Sequence, residues 1–233
     1  MSFKTGCLIC GNELVYSDQT FENKCFYCGN VFNSNEKCKN DHFVCNTCHS
    51  SSAFDLIENY TISTEILDPS EIAINLMKNP VIKMHGPEHH FLVPAVLLSS
   101  YYNTVGEKGK KSSAIKTARK RAEKVPGGFC GFNGACGAGI GSGIFVSVLT
   151  GATPVTKENW GQSNLATAKG LEAIASCGGP RCCKRDTFLV LKSTKEFVKN
   201  NFDVEINLNE NIKCDFSDLN KECLKEECSY YYS

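Results

Sequence analysis

From residue 51 onward, apolar side chains recur at intervals of three and four, the spacing that lines one face of a helix. The pattern predicts helices over 51–60, 69–78, 87–102, 112–124, 135–149, 157–176 and 185–200. Two are signed at their starts. Asp68-Pro69 and Gly86-Pro87 put proline at the first helical position, where its missing N–H has no bond to lose. Strand-type alternation is scarce, appearing only around 202–208, so this domain reads as all-α. Trp160 and the helical Phe and Tyr residues read as core. No apolar run reaches the ~18 residues of a membrane span. The longest, 140–149, holds glycines and serines.

The region before the helices is too short to build an adequate apolar core, so its folding energy must come largely from bound metal. Its cysteines supply the means. Cys7-x2-Cys10, Cys25-x2-Cys28 and Cys38-x3-His42-x2-Cys45-x2-Cys48 offer eight ligands, enough for two tetrahedral zinc ions. Gly11 and Gly29 follow the first two pairs and suit the sharp turn of a zinc knuckle. Sequential pairing would join Cys7, Cys10, Cys25 and Cys28 in a ribbon and leave Cys38, His42, Cys45 and Cys48 as a second finger. Alternating pairing would give a cross-brace. His49 reads as a surface residue. The expected fold is therefore a small zinc-binding module, zinc ribbon or cross-brace with short β, over 1–50. A mostly α-helical domain follows over 51–205, then a tail over 206–233.

The chain holds fifteen cysteines. The next five lie in glycine-rich sequence: Cys130 and Cys136 within or at the end of 125–136, and Cys177, Cys182 and Cys183 within 177–183. Cys136 opens a predicted helix, where the dipole lowers a thiol pKa, and Arg181, Lys184 and Arg185 flank the vicinal pair. The two loops are expected to converge. Cys130, Cys136 and one of Cys182/Cys183 would then lie within the reach of one metal site or disulfide, with His89 or His90 nearby. An iron–sulfur cluster or another soft metal would suit that site, with Cys177, His89, His90, Gly137 and Gly139 around it. The glycines 137, 139, 141 and 143 do not make a dinucleotide loop, because no strand precedes them and no acidic residue follows in the expected place. Their spacing suits the close approach of another helix or a cluster. Met-His85-Gly-Pro-Glu88-His89-His90 offers candidate histidine ligands at a helix start.

The tail adds Cys214-x8-Cys223-x4-Cys228 in acidic sequence, with a short helix expected over 218–227. Three thiols can hold a metal with one position open or completed from elsewhere. The chain carries no net charge, yet 108–124 holds eight Lys/Arg. That stretch reads as a solvated face. A phosphate or nucleic-acid contact is the sharper and less favoured reading, since aromatics are not interleaved. No charged-then-apolar leader opens the chain. It reads as cytoplasmic, where thiols stay reduced and many cysteines mean metal or redox chemistry.

Several segments carry resemblances. Cys38-x3-His42-x2-Cys45-x2-Cys48 resembles the middle of RING-like cross-braces, although no further cysteine pair follows, so ubiquitin-ligase activity is not implied. His89-His90-Phe-Leu-Val-Pro-Ala-Val-Leu-Leu, Gly127-Gly128-Phe-Cys-Gly-Phe, Cys136-Gly-Ala-Gly-Ile-Gly-Ser-Gly and Gly179-Pro-Arg-Cys-Cys-Lys-Arg-Asp together resemble an uncharacterised prokaryotic family of cysteine-rich proteins from anaerobes and methanogens. The likeness runs through the whole chain. More distantly, 89–190 is similar to the redox family named for its C, GCAxxG and C…C pattern. Here the central motif reads Ala-Cys136-Gly-Ala-Gly, and His89-His90 stand where the first cysteine is expected. The likeness therefore implies a redox role for Cys136 and for Cys182 or Cys183. Three classes of function follow. One is a thiol or iron–sulfur redox protein, an oxidoreductase or an accessory to a redox or methyl-transfer enzyme that meets a partner protein. The second handles soft metals or metalloids, and the third is a zinc-finger adaptor. None involves a membrane.

Overall fold

The computed structural model describes residues 7–49 and 51–232. It opens with an antiparallel hairpin, β1 (Leu14–Lys24) and β2 (Val31–Cys38), paired from Leu14↔Cys38 at its open end to Lys24↔Val31 at its tip. Most of both strands is exposed, and a register shift between Tyr16 and Phe21 interrupts the ladder. A lone two-stranded ribbon of this kind is marginal by itself. The first helical turn, α1 (Asn46–His49), folds back toward the hairpin tip.

Seven further helices realise the periodicity: α2 (Ala53–Ser63), α3 (Pro69–Met77), α4 (Glu88–Thr104), α5 (Lys108–Ala122), α7 (Gly137–Thr150), α8 (Glu158–Cys177) and α9 (Cys183–Phe202). The single turn α6 (Phe129–Phe132) lies between α5 and α7. Asp68 caps α3 by accepting from Ser70 N at 2.8 Å, with Pro69 in the first turn, as its sequence requires. Helix α4 begins at Glu88, so Pro87 sits at the cap position rather than inside. This one-residue offset is ordinary for helix ends.

Helix α4 is the centre of the fold. Phe91 through Ser100 are buried, and α2, α3, α5, α7 and α9 pack around it. Its weak amphipathicity follows: a helix covered on all sides has no face to leave polar. Helix α7 lies between α4 and α8, and its glycines set that geometry. A Cβ on Gly137 would meet His90 at 1.9 Å, and one on Gly143 would meet Thr167 Oγ1 at 1.9 Å and the Ser163 carbonyl at 2.9 Å. Gly137 and Gly141 thus face α4, while Gly139 and Gly143 face α8. The glycine spacing serves close helix packing, as the absence of a dinucleotide signature suggested.

The alternation at 202–208 forms no strand, in keeping with an all-α domain, and two other expectations are corrected. Helix α9 runs through Phe202, Asp203 turns with φ 52°, and Ile206 and Leu208 are buried without strand pairing. The period-two pattern is real, but it reports an extended segment laid on helices. The helix expected over 218–227 is reduced to two 3-10 turns, Ser217–Leu219 and Lys225–Glu227, with Lys225 at φ 48° between cysteine-bearing bends. Trp160 is 52% exposed, because α8 buries only Ala166 and Gly170 and turns its remaining surface outward. Among the described residues, no helix is long and apolar enough to cross a membrane.

Candidate metal centres and thiol sites

The hairpin decides which ligands meet. Because Leu14 pairs with Cys38, the end of β2 returns beside the start of β1, and the third ligand pair joins the first. Cys7, Cys10, Cys38 and His42 form one group. Cys25, Cys28, Cys45 and Cys48 form the other, and the ligand atoms within each lie within 4.8 Å of one another. This is the alternating, cross-braced wiring. The sequential sets, Cys7/Cys10/Cys25/Cys28 and Cys38/His42/Cys45/Cys48, do not form, and His49 belongs to neither group.

The geometry fits tetrahedral metal. Cys10 and Cys38 sulfurs are 3.7 Å apart, and Cys28 and Cys45 sulfurs are 3.9 Å apart. Two thiolates bound at ~2.3 Å to one ion stand about 3.8 Å from each other. His42 turns its Nδ1 to the first group, 3.3 Å from Cys10, 3.5 Å from Cys38 and 3.8 Å from Cys7. These separations far exceed a disulfide bond. The knuckles are built as thiolate cradles. Gly11 (φ 74°) and Gly29 (φ 71°) close the first two turns, and Ile9 N and Asn40 N donate to the sulfurs of Cys7 and Cys38 at 3.4 and 3.1 Å. Behind the second group, Tyr27 is fully buried, Phe26 stacks on Tyr60 of α2 with centroids 5.5 Å apart, and Ser63 Oγ donates to Tyr27 O. The centre is thus packed onto the helical domain.

The glycine-rich loops do meet. Gly128, Cys130, Gly131, Gly134 and Cys136 from one, with Gly178, Gly179 and Arg181 from the other, line a pocket of about 870 Å³ that α8 and the start of α9 complete. Cys136 caps α7 and donates its S–H to Asp186 Oδ2 at 3.8 Å. Asp186 in turn holds Arg185 Nε at 3.1 Å, and both side chains are buried. Burial, reinforced by the Asp186 charge, pushes the Cys136 thiol up to about 12, even though Ala138 N donates to the sulfur. The expectation of a lowered thiol pKa at this helix start is therefore corrected: burial outweighs the helix terminus. Burial likewise raises Cys182, raises Cys183 to about 11 and raises Asp186.

The expected ligands divide between neighbourhoods. Cys130 and Cys183 lie close enough to Cys136 to disfavour its ionisation, but Cys182 faces another cavity, formed with Cys214, Cys223 and Cys228. Cys177 ends α8 beside Arg185. His89 is a core histidine: Nε2 lies 3.1 Å from Lys83 O and Nδ1 lies 3.4 Å from Thr187 Oγ1, and burial holds its pKa well below the usual value. His90 bonds Val125 O through Nδ1 and packs on Gly137, beside Cys136. The basic run is largely committed within the fold. Arg119 pairs with Asp55 and Glu58, Lys108 with Glu65, Lys110 with Glu107, and Arg121 donates to Ser147. Lys111 is buried against Thr64 O and Asn103. Sequence reasoning missed Asp186. Its signal was present, an acid four residues after Cys182 in the first turn of a helix, where it points back to the helix start.

A cross-braced region with two four-ligand groups able to hold metal ions, joined to a cysteine- and glycine-rich helical domain, is the class that fold and site define. The chain belongs to the family of unknown function DUF5714, whose model matches residues 57–231. The matched stretch covers the helices and the tail and leaves both N-terminal ligand groups outside it. No curated protein and no solved structure matches the chain.

Proposed function

We propose that this is a cytoplasmic redox protein in which two zinc ions brace the N-terminal region and a thiol pair, Cys130 and Cys136, carries the chemistry. The observation that carries this reading is the Cys136–Asp186 contact in a pocket with Cys130 on its wall. Zinc follows from the donor sets: three thiolates with an imidazole, and four thiolates, at tetrahedral spacing. In the helical domain, Asp186 accepts the Cys136 S–H and holds the resting thiol protonated, and the reacting form is the thiolate left when that proton passes to solvent. The thiolate attacks one sulfur of a partner protein's disulfide. That S–S bond breaks, and the departing partner sulfur takes a proton. Cys130 then attacks Cys136 in the mixed disulfide and releases the second partner thiol. Two electrons pass from the Cys130/Cys136 pair to the partner, and the pair ends as a disulfide. Glycines along the pocket wall leave room for partner backbone, and Phe132 beside them is 92% exposed as an apolar contact.

The test is equilibration of the zinc-loaded chain in glutathione buffers from about −300 to about −180 mV, followed by alkylation and mass spectrometry. A Cys130–Cys136 disulfide that forms within this range and is lost in Cys136→Ser is expected. Both thiols staying reduced throughout would remove the redox reading and leave metal binding alone.

A further inference from the structure

The tail cysteines find a fourth partner that no sequence spacing announces. Cys182, at the cap of α9, lines one small cavity together with Cys214, Cys223 and Cys228. The other walls include Met84, Phe216 and Tyr230, with Arg185 and Glu222 as the charged members of the lining. We propose that these four thiols hold a 4Fe–4S cluster.

Several observations converge on that occupant. The four cysteines come from two separate segments, yet the backbone brings them to one place. Cys214 N donates to Tyr230 O at 2.8 Å, which clamps the two ends of the tail together, and Tyr231 N donates to Cys228 O at 2.9 Å, which turns the chain after Cys228. Arg185 Nη2 holds Gly178 O at 2.8 Å and Pro180 O at 3.1 Å, which fixes the loop entering Cys182. The tail between has only two 3-10 turns as regular structure, so it needs a staple.

The sulfurs are prepared as ligands in the same way as those of the N-terminal centres. There, Cys7 and Cys38 receive the N–H two residues on. Lys225 N donates to Cys223 Sγ at 3.4 Å, Phe216 N to Cys214, and Lys184 N and Arg185 N to Cys182. Such N–H···S bonds stabilise thiolates and tune a cluster.

Spacing selects a cluster over a single ion. In the N-terminal centres the ligand atoms crowd within 4.8 Å, whereas no three of these four sulfurs do. One tetrahedral ion needs sulfurs about 3.8 Å apart. A cubane keeps its cysteine sulfurs separated by the body of the cluster, and these four share the lining of one cavity.

Charge agrees as well. Two ferrous and two ferric ions with four sulfides, bound by four thiolates after loss of four protons, leave a doubly negative site. Lys184 is 1% exposed, donates to Ile82 O at 3.2 Å, stands 5.0 Å over the Phe216 ring, and forms no ion pair among the described residues. A buried ammonium is costly unless anions lie beside it, and around Lys184 that negative field comes from Glu88 together with the sulfurs of Cys183, Cys182 and Cys214. Arg185 lines this cavity and also the Cys130/Cys136 pocket, so the two sites share one cationic wall.

The test uses the full chain purified without oxygen and reconstituted with equal ferrous and ferric iron and sulfide. Zinc, iron, sulfide and visible absorption are measured together. The expected result is about four iron and four sulfide per chain, with a broad band near 400 nm and zinc retained. Cys223→Ser and Cys228→Ser should lose the iron and keep both zinc ions and the helical circular dichroism. Cys130→Ser and Cys136→Ser should keep the iron, so loss of the thiol pair and loss of the cluster are read separately. Zinc in place of iron at this site, a native Cys214–Cys228 disulfide, or iron kept by the tail variants and lost with Cys136→Ser would each overturn the proposal.

Discussion

Cys10 and Cys38 stand with their sulfurs 3.7 Å apart across 28 residues of chain, because the hairpin pairs Leu14 with Cys38. That single register makes the N-terminal region a cross-brace. It also assigns metals to ligands in a way that substitution can read. Cys25 and Cys45 belong to one group, and Cys7 and Cys38 to the other. Cys25→Ser and Cys45→Ser should therefore each lose the same ion, and the double variant should lose no more metal than either alone. Cys25→Ser combined with Cys38→Ser should lose both. Structural zinc contributes on the order of 10 kcal/mol to folding small modules, so each loss should also expose the hairpin to protease. Elemental analysis with limited proteolysis checks this. Additive metal loss from Cys25→Ser and Cys45→Ser would mean another wiring.

The α7 glycines predict a contrast. Gly143→Ala places a Cβ 1.9 Å from Thr167 Oγ1 and 2.9 Å from the Ser163 carbonyl, and the latter is backbone that cannot turn aside. Overpacking of this kind costs about 1–3 kcal/mol. Gly109→Ala, in α5, meets nothing within 4 Å and should gain several tenths to about 1 kcal/mol from helix propensity. Urea unfolding followed by circular dichroism measures both. Equal effects at the two positions would contradict the packing of α7 between α4 and α8.

How far the sequence carried the reading differs by element. The helices were legible most plainly where α2, α3, α5 and α9 bury periodic faces, and the ligands were legible because Cys-x2-Cys turns need few residues to make a site. The hairpin was not, since β1 and β2 are mostly exposed, so no alternating buried face marks them in the sequence. The extended 204–208 segment copies a strand pattern while lying on helices. The thiol pKa directions at Cys136 and Cys182 could not be read from neighbours in sequence. Burial sets them, and burial comes from Asp186, α4 and the tail arriving from elsewhere. The meeting of Cys182 with Cys214, Cys223 and Cys228 is likewise a product of the tertiary fold.

Lys111 makes stability pH-dependent. Its ammonium is buried, donating to Thr64 O at 2.7 Å and Asn103 Oδ1 at 2.9 Å. Burial, with Lys108 nearby, lowers its pKa from 10.5 to about 8, against an opposing pull from Glu65. Between those two values the unfolded chain holds a proton that the folded chain has released, so stability rises with pH across that window from this group. Below about pH 8 both states are charged and the contribution is constant. The unfolding free energy of wild type relative to Lys111→Met should therefore grow between pH 7.5 and 9.5, by on the order of 1–2 kcal/mol. Subtraction removes the titration of every other group. A pH-independent difference would place the Lys111 pKa near its ordinary value.

Asp186 governs the reactivity of Cys136. Burial first, and then the carboxylate 3.8 Å from its sulfur, push the thiol to about 12, so at pH 8 little thiolate is present. Asp186→Asn removes the negative charge and keeps an amide oxygen able to accept the S–H. It also frees Arg185, whose charge favours thiolate. Both changes lower the Cys136 pKa. Each unit of that fall raises the thiolate fraction roughly tenfold while the thiol remains mostly protonated. Iodoacetamide should therefore modify Cys136 several-fold faster in the variant at pH 8, and the midpoint of its pH–rate profile should move down. Cys130, whose sulfur has no such contact with Asp186, should keep its rate and serves as the internal reference in the same mass-spectrometric digest. Arg185→Met gives the opposite control, because it leaves Asp186 unpaired and should slow Cys136 further. If Asp186→Asn leaves the Cys136 midpoint where it was, burial alone sets the pKa, and the Asp186 carboxylate is not what keeps the Cys136 thiol protonated.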